Sequence, residues 1–352
     1  MLMKPVKLRG KKLSLPIIQG GMGIGISRCR LAGSVAKEGG MGVISTAQVG
    51  YDDPDFKKDP EAANLRALPR QIKKAKEISG GHGLVGVNVM VVTRLYADYI
   101  RTVCEAGVDA IISGAGLPTN LPEYVEGYDV AIAPIVSSEK SAKVILKFWD
   151  RKYHRTADFL VIEGPRAGGH LGFSREQLDD IGNLDYDEEI RKIIAVKKEY
   201  EEKYGVTIPV FVAGGMFTSE DVRHALELGA DGIQAASRFV ATEECDACDA
   251  FKEAYLHAKP EDAVIIKSPV GMPGRALKNA FIDKMNANPG KVTYCFNCMK
   301  GCNPATAPYC ISLALINAVV GNLDEGVIFC GSRVGEITEM TTVPELIKEL
   351  TV

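Results

Sequence analysis

The sequence predicts an α/β fold, a (β/α)8 TIM barrel with a C-terminal extension that carries a cysteine cluster. Eight short runs rich in apolar and β-branched residues alternate with longer amphipathic stretches, which is typical of a parallel α/β fold. These strand-helix units fill about 260 residues of the 352-residue chain, close to the usual size of such a barrel. A doubly wound parallel sheet is the alternative.

The predicted barrel strands are residues 15–19, 42–46, 84–90, 110–113, 130–136, 159–163, 210–213 and 232–235. Helical patterns lie between them, and several of these begin with Ser, Thr or Asp and end with Gly, as helix boundaries require. They include residues 27–40, 96–107, 141–153, 187–205 and 219–230. We therefore assign residues 1–263 to the barrel and residues 264–352 to an extension whose helices pack on it.

The extension has its own order of features. A helical pattern at residues 248–258 precedes it, and a Pro- and Gly-rich passage, the cysteine cluster, an apolar helix at 312–320 and a charged helix at 343–350 follow. The apolar helix is roughly half the length that a membrane span needs. This helix can bury its apolar surface against its own barrel or against a second chain, and the second arrangement would be a homodimer.

Charge and composition exclude several functional classes. Lys and Arg number 42 against 45 Asp and Glu, a net charge of −3, which creates no field that would attract nucleic acid or an anionic membrane. The basic N-terminus lacks the apolar core of an export signal. We therefore expect a cytoplasmic protein with a small-molecule or acyl-thioester substrate, in a compartment where cysteines serve metal or redox chemistry more often than disulfides.

Many of the 36 glycines follow the predicted strands, at the end of a barrel where chemistry takes place. Gly214 and Gly215 end the seventh strand just before a helix start, and Ala236 and Ser237 end the eighth. Glycine lets backbone N–H groups approach an anion, and a helix N-terminus adds a favourable dipole. These positions predict a phosphate site, although glycines that only form tight turns would give the same pattern.

His170 lies in the segment EGPRAGGHLG, directly after the sixth strand. Its pKa near neutrality and its glycine neighbours make it a candidate general acid or base. A structural histidine is the alternative, and it is the interpretation that we give to His82, His154, His224 and His257.

Four cysteines, Cys295, Cys298, Cys302 and Cys310, have the spacing C-x2-C-x3-C-x7-C. Because all four come from one loop, they favour an iron–sulfur (4Fe–4S) cluster. Zinc is the alternative metal, although four-thiolate zinc sites usually combine two C-x2-C pairs from separate segments. A redox-active disulfide is a further alternative. Cys245 and Cys248 form another C-x2-C pair, whose ligand role stays open.

Five motifs in order resemble the nitronate monooxygenase (2-nitropropane dioxygenase) family, which includes the FMN-dependent enoyl-acyl-carrier-protein reductases of the second type. They are PIIQGGM at 16–22, GVNVM at 86–90, the EGPRAGGH segment, FVAGGM at 211–216 and GADGIQAASRFVATEE at 229–244. The similarity covers most of residues 14–285. It implies FMN as the cofactor and is less specific for the reaction.

The resemblance also implies roles for single residues. His170 falls on the family's active-site histidine, which transfers a proton or positions the substrate. The flavin ring would contact Gly20, Gly21, Met22 and Asn88, with Ser137, Glu163 and Gly169 nearby, and the phosphate would lie against Gly214, Gly215, Ala236 and Ser237.

This chain departs from the family pattern at three places. Ala236-Ser237 replaces the usual Gly-Thr, and Pro165-Arg166 stands where a small or acidic pair is common. Ordinary members also lack the four-cysteine loop, whose spacing is similar to the four-iron loop of the 2,4-dienoyl-CoA reductases. The changed pair affects substrate preference, and the loop adds a metal centre that the family does not imply.

Three functions follow. The first is an NAD(P)H-linked, FMN-dependent reductase of an enoyl-type substrate with an iron–sulfur electron relay. The second is a nitronate monooxygenase that uses O2, with a structural metal at the cysteines. The third is a non-catalytic flavin module that transfers electrons within a larger complex. No GxGxxG fingerprint follows a predicted strand, so the sequence does not choose between NADH and NADPH.

Overall fold

The computed structural model describes residues 3–351, so residues 1, 2 and 352 of the two predicted domains lie outside the described part. The strands in chain order are β1 (Val6–Leu8), β2 (Lys11–Leu13), β3 (Ile17–Gln19), β4 (Met41–Ser45), β5 (Leu84–Met90), β6 (Ala110–Gly114), β7 (Ala131–Val136), β8 (Leu160–Glu163), β9 (Gly169–His170), β10 (Val210–Ala213), β11 (Gly232–Ala235), β12 (Ala263–Lys267) and β13 (Pro273–Leu277).

The helices are α1 (Cys29–Lys37), α2 (Pro60–Ser79), α3 (Tyr96–Glu105), α4 (Leu121–Tyr124), α5 (Glu139–Tyr153), α6 (Arg175–Asp179), α7 (Tyr186–Tyr204), α8 (Ser219–Glu227), α9 (Ser237–Val240), α10 (Asp249–Leu256), α11 (Ala280–Ala287), α12 (Ile311–Val319) and α13 (Val343–Thr351). Within the described residues, no helix is long and apolar enough to cross a membrane.

A closed barrel of parallel strands forms the centre of the protein, in the order β3-β4-β5-β6-β7-β8-β10-β11, with β11 pairing back to β3. Its eight strands are the eight predicted ones, with ends that differ by no more than two residues. This confirms the predicted fold and excludes the doubly wound sheet. The strands β4 and β6 are buried along their whole length, because parallel barrel strands are covered on both faces.

Side chains of alternate strands fill the barrel interior, and an N-terminal hairpin closes its lower end. Strands β1 and β2 pair antiparallel, and their Leu8 and Leu13 are fully buried in the same cluster as Phe159 and Phe211. The rings of these two phenylalanines lie edge to face, with centroids 5.8 Å apart. The lower end is therefore packed core, and open space in the barrel is left to the upper, C-terminal end of the strands.

The extension joins the barrel through a small antiparallel sheet. Strand β13 pairs with β12 on one side and with β9 on the other, so that Gly274 lies opposite His170 and Arg275 opposite Gly169. Helix α12 buries Ala318 and Val319 within its own chain. The loop that follows β8 is thus part of a sheet whose other strands belong to the extension.

Candidate active site

A cavity of 260 Å³ opens at the C-terminal ends of the barrel strands. It is the place where the barrel prediction locates chemistry. Most of the residues predicted to bind cofactor or to act in catalysis line it together. These are Gly20, Gly21, Met22, Asn88, Glu163, Gly169, His170, Gly214, Gly215, Ala236 and Ser237.

Ser137 is the predicted residue that the structure does not bring to this cavity. Its hydroxyl donates to the carbonyl oxygen of Gly172 over 3.4 Å, and its amide donates to Ser141 at the start of α5. Ser137 follows β7 as predicted, but its side chain is hydrogen-bonded to the loop after β9.

The glycines of the cavity wall leave the backbone open to a ligand. A Cβ atom at Gly21 would lie 2.5 Å from Cβ of Asn88 in β5, so no side chain fits at position 21. Gly214 and Gly215 have φ angles of +89° and +93°, which side chains rarely allow. An extended wall of exposed backbone at the mouth of a barrel fits a flat, phosphate-bearing cofactor such as FMN.

His170 is held by residues of the extension. Its Nε2 atom lies 2.7 Å from Oγ of Ser268, and its ring packs edge to face on Phe329 with centroids 5.0 Å apart. The Ser268 oxygen also accepts from the amide of Val270 at 3.5 Å, which leaves the hydroxyl free to donate to Nε2 or to accept from it, according to the histidine tautomer. Burial lowers the pKa of His170 to about 4, which keeps the imidazole neutral at pH 7.

Glu163, at the end of β8, contributes the carboxyl group of the cavity wall. Burial raises the pKa of Glu163 to about 7. The backbone beneath it is fixed by Tyr186, whose hydroxyl donates to the carbonyl oxygen of Glu163 over 2.8 Å. The cavity therefore combines a histidine that stays neutral with a carboxyl group that retains a proton near neutrality.

The extension supplies part of the wall that sequence patterns did not reveal. Leu315, Phe329 and residues 330–333 all line the cavity. The amide of Gly331 donates to Oγ of Ser237 over 2.8 Å, and a Cβ at Gly168 would lie 2.5 Å from the backbone of Cys330. Gly331 and Ser332 follow the apolar run at 327–330, just as glycines follow the barrel strands. This pattern could have indicated that the segment reaches the cavity.

Two amides next to the start of α8 are occupied by a carboxylate of the helix itself. The predicted helix start is confirmed, with Thr218 as N-cap. The Asp221 carboxylate, however, accepts from the amides of Phe217 and Thr218 at 3.0 and 2.7 Å and also pairs with Arg333. These two amides, which directly precede α8, are therefore occupied within the chain, and the phosphate contacts expected at Gly214, Gly215, Ala236 and Ser237 stay a prediction.

The four clustered cysteines line a second cavity of 310 Å³, together with Arg94 and Lys300. Cys295 is exposed, and the others are partly buried. Within residues 3–351 all nine cysteines are free thiols, and no three or more His, Cys, Asp or Glu side chains are arranged to hold a metal ion. The structure thus brings the four thiols to one cavity without assembling them as a metal site.

The cysteine loop is anchored to the mouth of the barrel. The amide of Arg94 donates to the carbonyl oxygen of Cys298, and the amide of Lys300 donates to that of Val92 at 2.7 Å. On the other side, the rings of Phe296 and Phe56 lie 5.3 Å apart. The loop therefore sits on the connections that follow β4 and β5, beside the first cavity.

Helix α12 connects the two cavities. It begins after Cys310, its Ile311 lines the cysteine cavity, and its Leu315 lines the first cavity. Four residues of helix correspond to a rise of about 6 Å. The cysteine cavity is consequently a direct neighbour of the site at the barrel mouth.

The C-x2-C pair near α10 has a different setting. Cys245 is fully buried, and its thiol donates to the carbonyl oxygen of Ile26 over 3.6 Å. Burial raises the pKa of Cys245 to about 12. Cys248 packs near Gly321. Cys245 is therefore a buried core residue in this structure.

Comparison with known proteins gives one consistent result. The family model described as nitronate monooxygenase matches residues 5–352. A (3aS,4S,5R,7aS)-5-hydroxy-7a-methyl-1-oxo-octahydro-1H-indene-4-carboxyl-CoA dehydrogenase of Mycobacterium tuberculosis is 24% identical over 77% of this chain, an alignment that spans only 65% of that relative. A probable nitronate monooxygenase of Staphylococcus saprophyticus is 25% identical over 77% of this chain and 78% of its own length.

Solved structures agree on the fold. FabK from Thermotoga maritima is 25% identical with a TM-score of 0.73, and the similarity covers 96% of this chain and 92% of that one. A nitroalkane oxidase from Streptomyces ansochromogenes is 20% identical with a TM-score of 0.68, over 96% of this chain and 95% of that one.

Proposed function

The chain belongs to the nitronate monooxygenase family, and we propose that it works there as an NAD(P)H-linked reductase of an activated, enoyl-type substrate. It is an FMN-dependent oxidoreductase. In the proposed reaction NAD(P)H gives up a hydride, which is added to the β carbon of the substrate double bond. A proton from water is added to the α carbon, and the products are NAD(P)⁺ and the saturated compound.

We propose that the first cavity holds FMN, which supplies hydride transfer between nicotinamide and substrate. Its ring would lie along Gly20, Gly21, Met22 and Asn88, with Glu163 and Gly169 beside it. Its phosphate would lie at Gly214, Gly215, Ala236 and Ser237. The fit rests on the backbone that these glycines leave open and on their common place in one cavity.

His170 acts in this proposal as a neutral group. An imidazole with a pKa near 4 does not store a proton at pH 7. Held by Ser268 through Nε2, it presents its other ring nitrogen, Nδ1, for a hydrogen bond to the substrate or to a water molecule that protonates the α carbon. Substrate positioning is therefore the role that we assign to His170, rather than that of the acid itself.

The cysteine cavity is the observation that favours reduction over oxygen chemistry. We propose that its four thiols bind a 4Fe–4S cluster, with zinc as the alternative. A cluster beside α12 would lie next to the flavin and could pass single electrons to it from an external donor. The cations Arg94 and Lys300 at this cavity suit a cluster with four thiolate ligands.

A nitronate monooxygenase activity is the second candidate, because the family model and the Staphylococcus relative carry that name. In that reaction His170 would orient or deprotonate the substrate, and O2 would be consumed.

One pair of assays separates the two functions. Under anaerobic conditions, crotonyl-CoA should be reduced with one NAD(P)H consumed per thioester. In air, propyl-2-nitronate should cause no O2 consumption above that of free FMN. Oxygen consumption with the nitronate, together with no anaerobic reduction of the thioester, would contradict the reductase proposal.

A further inference from the structure

Three arginines line the phosphate end of the first cavity, and two of them are already paired. Arg238 forms an ion pair with Glu349, and Arg333 is held by Asp221 and Glu336 at 2.6 Å each. Both guanidinium groups also stack on the ring of Phe217, with the Cζ of Arg238 and of Arg333 at 4.8 and 4.5 Å from its centroid. Their charges are neutralised and their positions are fixed.

The third arginine, Arg166, has no such partner. In the part of the chain that the structure describes, no carboxylate lies within 4 Å of the Arg166 guanidinium, and no hydrogen bond involves the guanidinium nitrogens. Glu336 is the acidic residue that senses its charge, but both Glu336 oxygens accept from Arg333. The stem of Arg166 packs along the Gly214–Gly215 turn, since a Cβ at Gly215 would lie 3.2 Å from Cδ of Arg166.

The backbone that carries Arg166 is rigid. The carbonyl oxygens of Pro165 and Ala167 both accept from the buried Arg275, and that of Arg166 accepts from the amide of Ser332 at 3.1 Å. Three consecutive carbonyl groups are thus fixed by the extension. The side chain between them projects from a set position beside the turn.

Arg166 is thus the arginine at this end of the cavity whose charge no carboxylate balances within the described residues. The charges of Arg238 and Arg333 are balanced by three carboxylates. A phosphate monoester carries about two negative charges at pH 7. Guanidinium is the side chain whose donors best match phosphate oxygens.

We propose that Arg166 binds the phosphate of FMN and supplies positive charge beside the Gly214–Gly215 turn. The inference rests on FMN occupying this cavity. It gives a role to the Pro165-Arg166 departure from the family pattern, in which the added cation serves cofactor retention.

The test compares two flavins that differ only in the phosphate. Apo-protein is titrated with FMN and with riboflavin, and binding is followed by quenching of flavin fluorescence. Arg166→Gln should weaken FMN binding about 10- to 100-fold and leave riboflavin binding unchanged. Arg166→Lys should retain part of the difference. Arg151→Gln, the same charge change on the exposed face of α5, should match the wild type with both flavins.

Two results would overturn the proposal. One is an Arg166→Gln variant that binds FMN within twofold of the wild type. The other is an equal loss for FMN and riboflavin, which would indicate a general disturbance of the site, and thermal melting of the apo-variant identifies that case. A wild-type protein that binds neither flavin would instead contradict the proposed function.

Discussion

The Nε2 atom of His170 lies 2.7 Å from Oγ of Ser268, although 98 positions separate the two residues in the sequence. The contact crosses from the loop after β8 to the loop between β12 and β13 of the extension. The orientation of the candidate active-site histidine therefore depends on a segment outside the eight barrel units.

Replacing Ser268 by Ala should reduce turnover without removing the cofactor. The variant loses the hydrogen bond that holds the imidazole ring in place, a loss of about 1 kcal/mol, which corresponds to a roughly 5- to 10-fold slower reduction of crotonyl-CoA. FMN affinity should stay at the wild-type value, and Ser268→Thr should restore most of the rate because it keeps a hydroxyl. Equal rates for the Ala variant and the wild type would remove Ser268 from a positioning role.

Replacing Glu163 by Gln should stabilise the apo-protein at high pH. The folded pKa of Glu163, about 7, lies above the ordinary value of 4.5, so its contribution to stability is present below pH 4.5 and is lost as the pH rises towards 7. At pH 8 the variant should gain about 3 kcal/mol in the free energy of unfolding over the wild type, and at pH 4.5 the gain should nearly vanish. Urea denaturation at both pH values measures it, and a gain that does not change with pH would contradict the assignment.

Adding a methyl group at Gly21 should impair flavin binding. The new Cβ would lie 2.5 Å from Cβ of Asn88, and overpacking of this kind costs about 1–3 kcal/mol in the free energy of unfolding. Because Asn88 must shift to relieve the contact, the cavity wall is displaced and FMN affinity should fall by roughly 10-fold. Gly182→Ala is the matched control, because its Cβ would meet no atom within 4 Å. If both variants bind FMN as the wild type does, the cavity wall at Gly21 does not contact the cofactor.

Replacing Cys298 by Ser should remove iron from the protein. Anaerobically purified wild type should contain about four irons per chain, and the variant should contain far less. Cys248→Ser, a cysteine outside the cavity, should keep the wild-type iron content. One zinc and no iron in the wild type would establish zinc as the bound metal and exclude the iron–sulfur electron relay.

Most of the barrel could be predicted because its strands are short apolar runs with glycines at their ends. Burial on both faces requires apolar residues along the whole strand, and both β6 and β10 are buried along their whole length. The hairpin of β1 and β2, the two-residue strand β9 and the extension strands β12 and β13 were not predicted, because none of them belongs to the repeated strand-helix units.

The candidate site was predictable only on the barrel side. Gly21, Gly214 and His170 follow strands, and strand ends meet at one rim of a barrel. Phe329 and Leu315 could not be assigned in this way. The sequence of the extension predicts its helices, but it does not predict the surface of the barrel on which they pack. Ser137 shows the converse, since a residue can follow a barrel strand and still direct its side chain to a neighbouring loop.

The most direct test of the central claim is an anaerobic reductive titration that counts electrons per chain. A flavin beside one iron–sulfur cluster should accept about three electrons, two at FMN and one at the cluster, with bleaching of both chromophores. A protein that accepts only two electrons, with flavin absorption alone, would contradict the account of a reductase with an electron relay at its four cysteines.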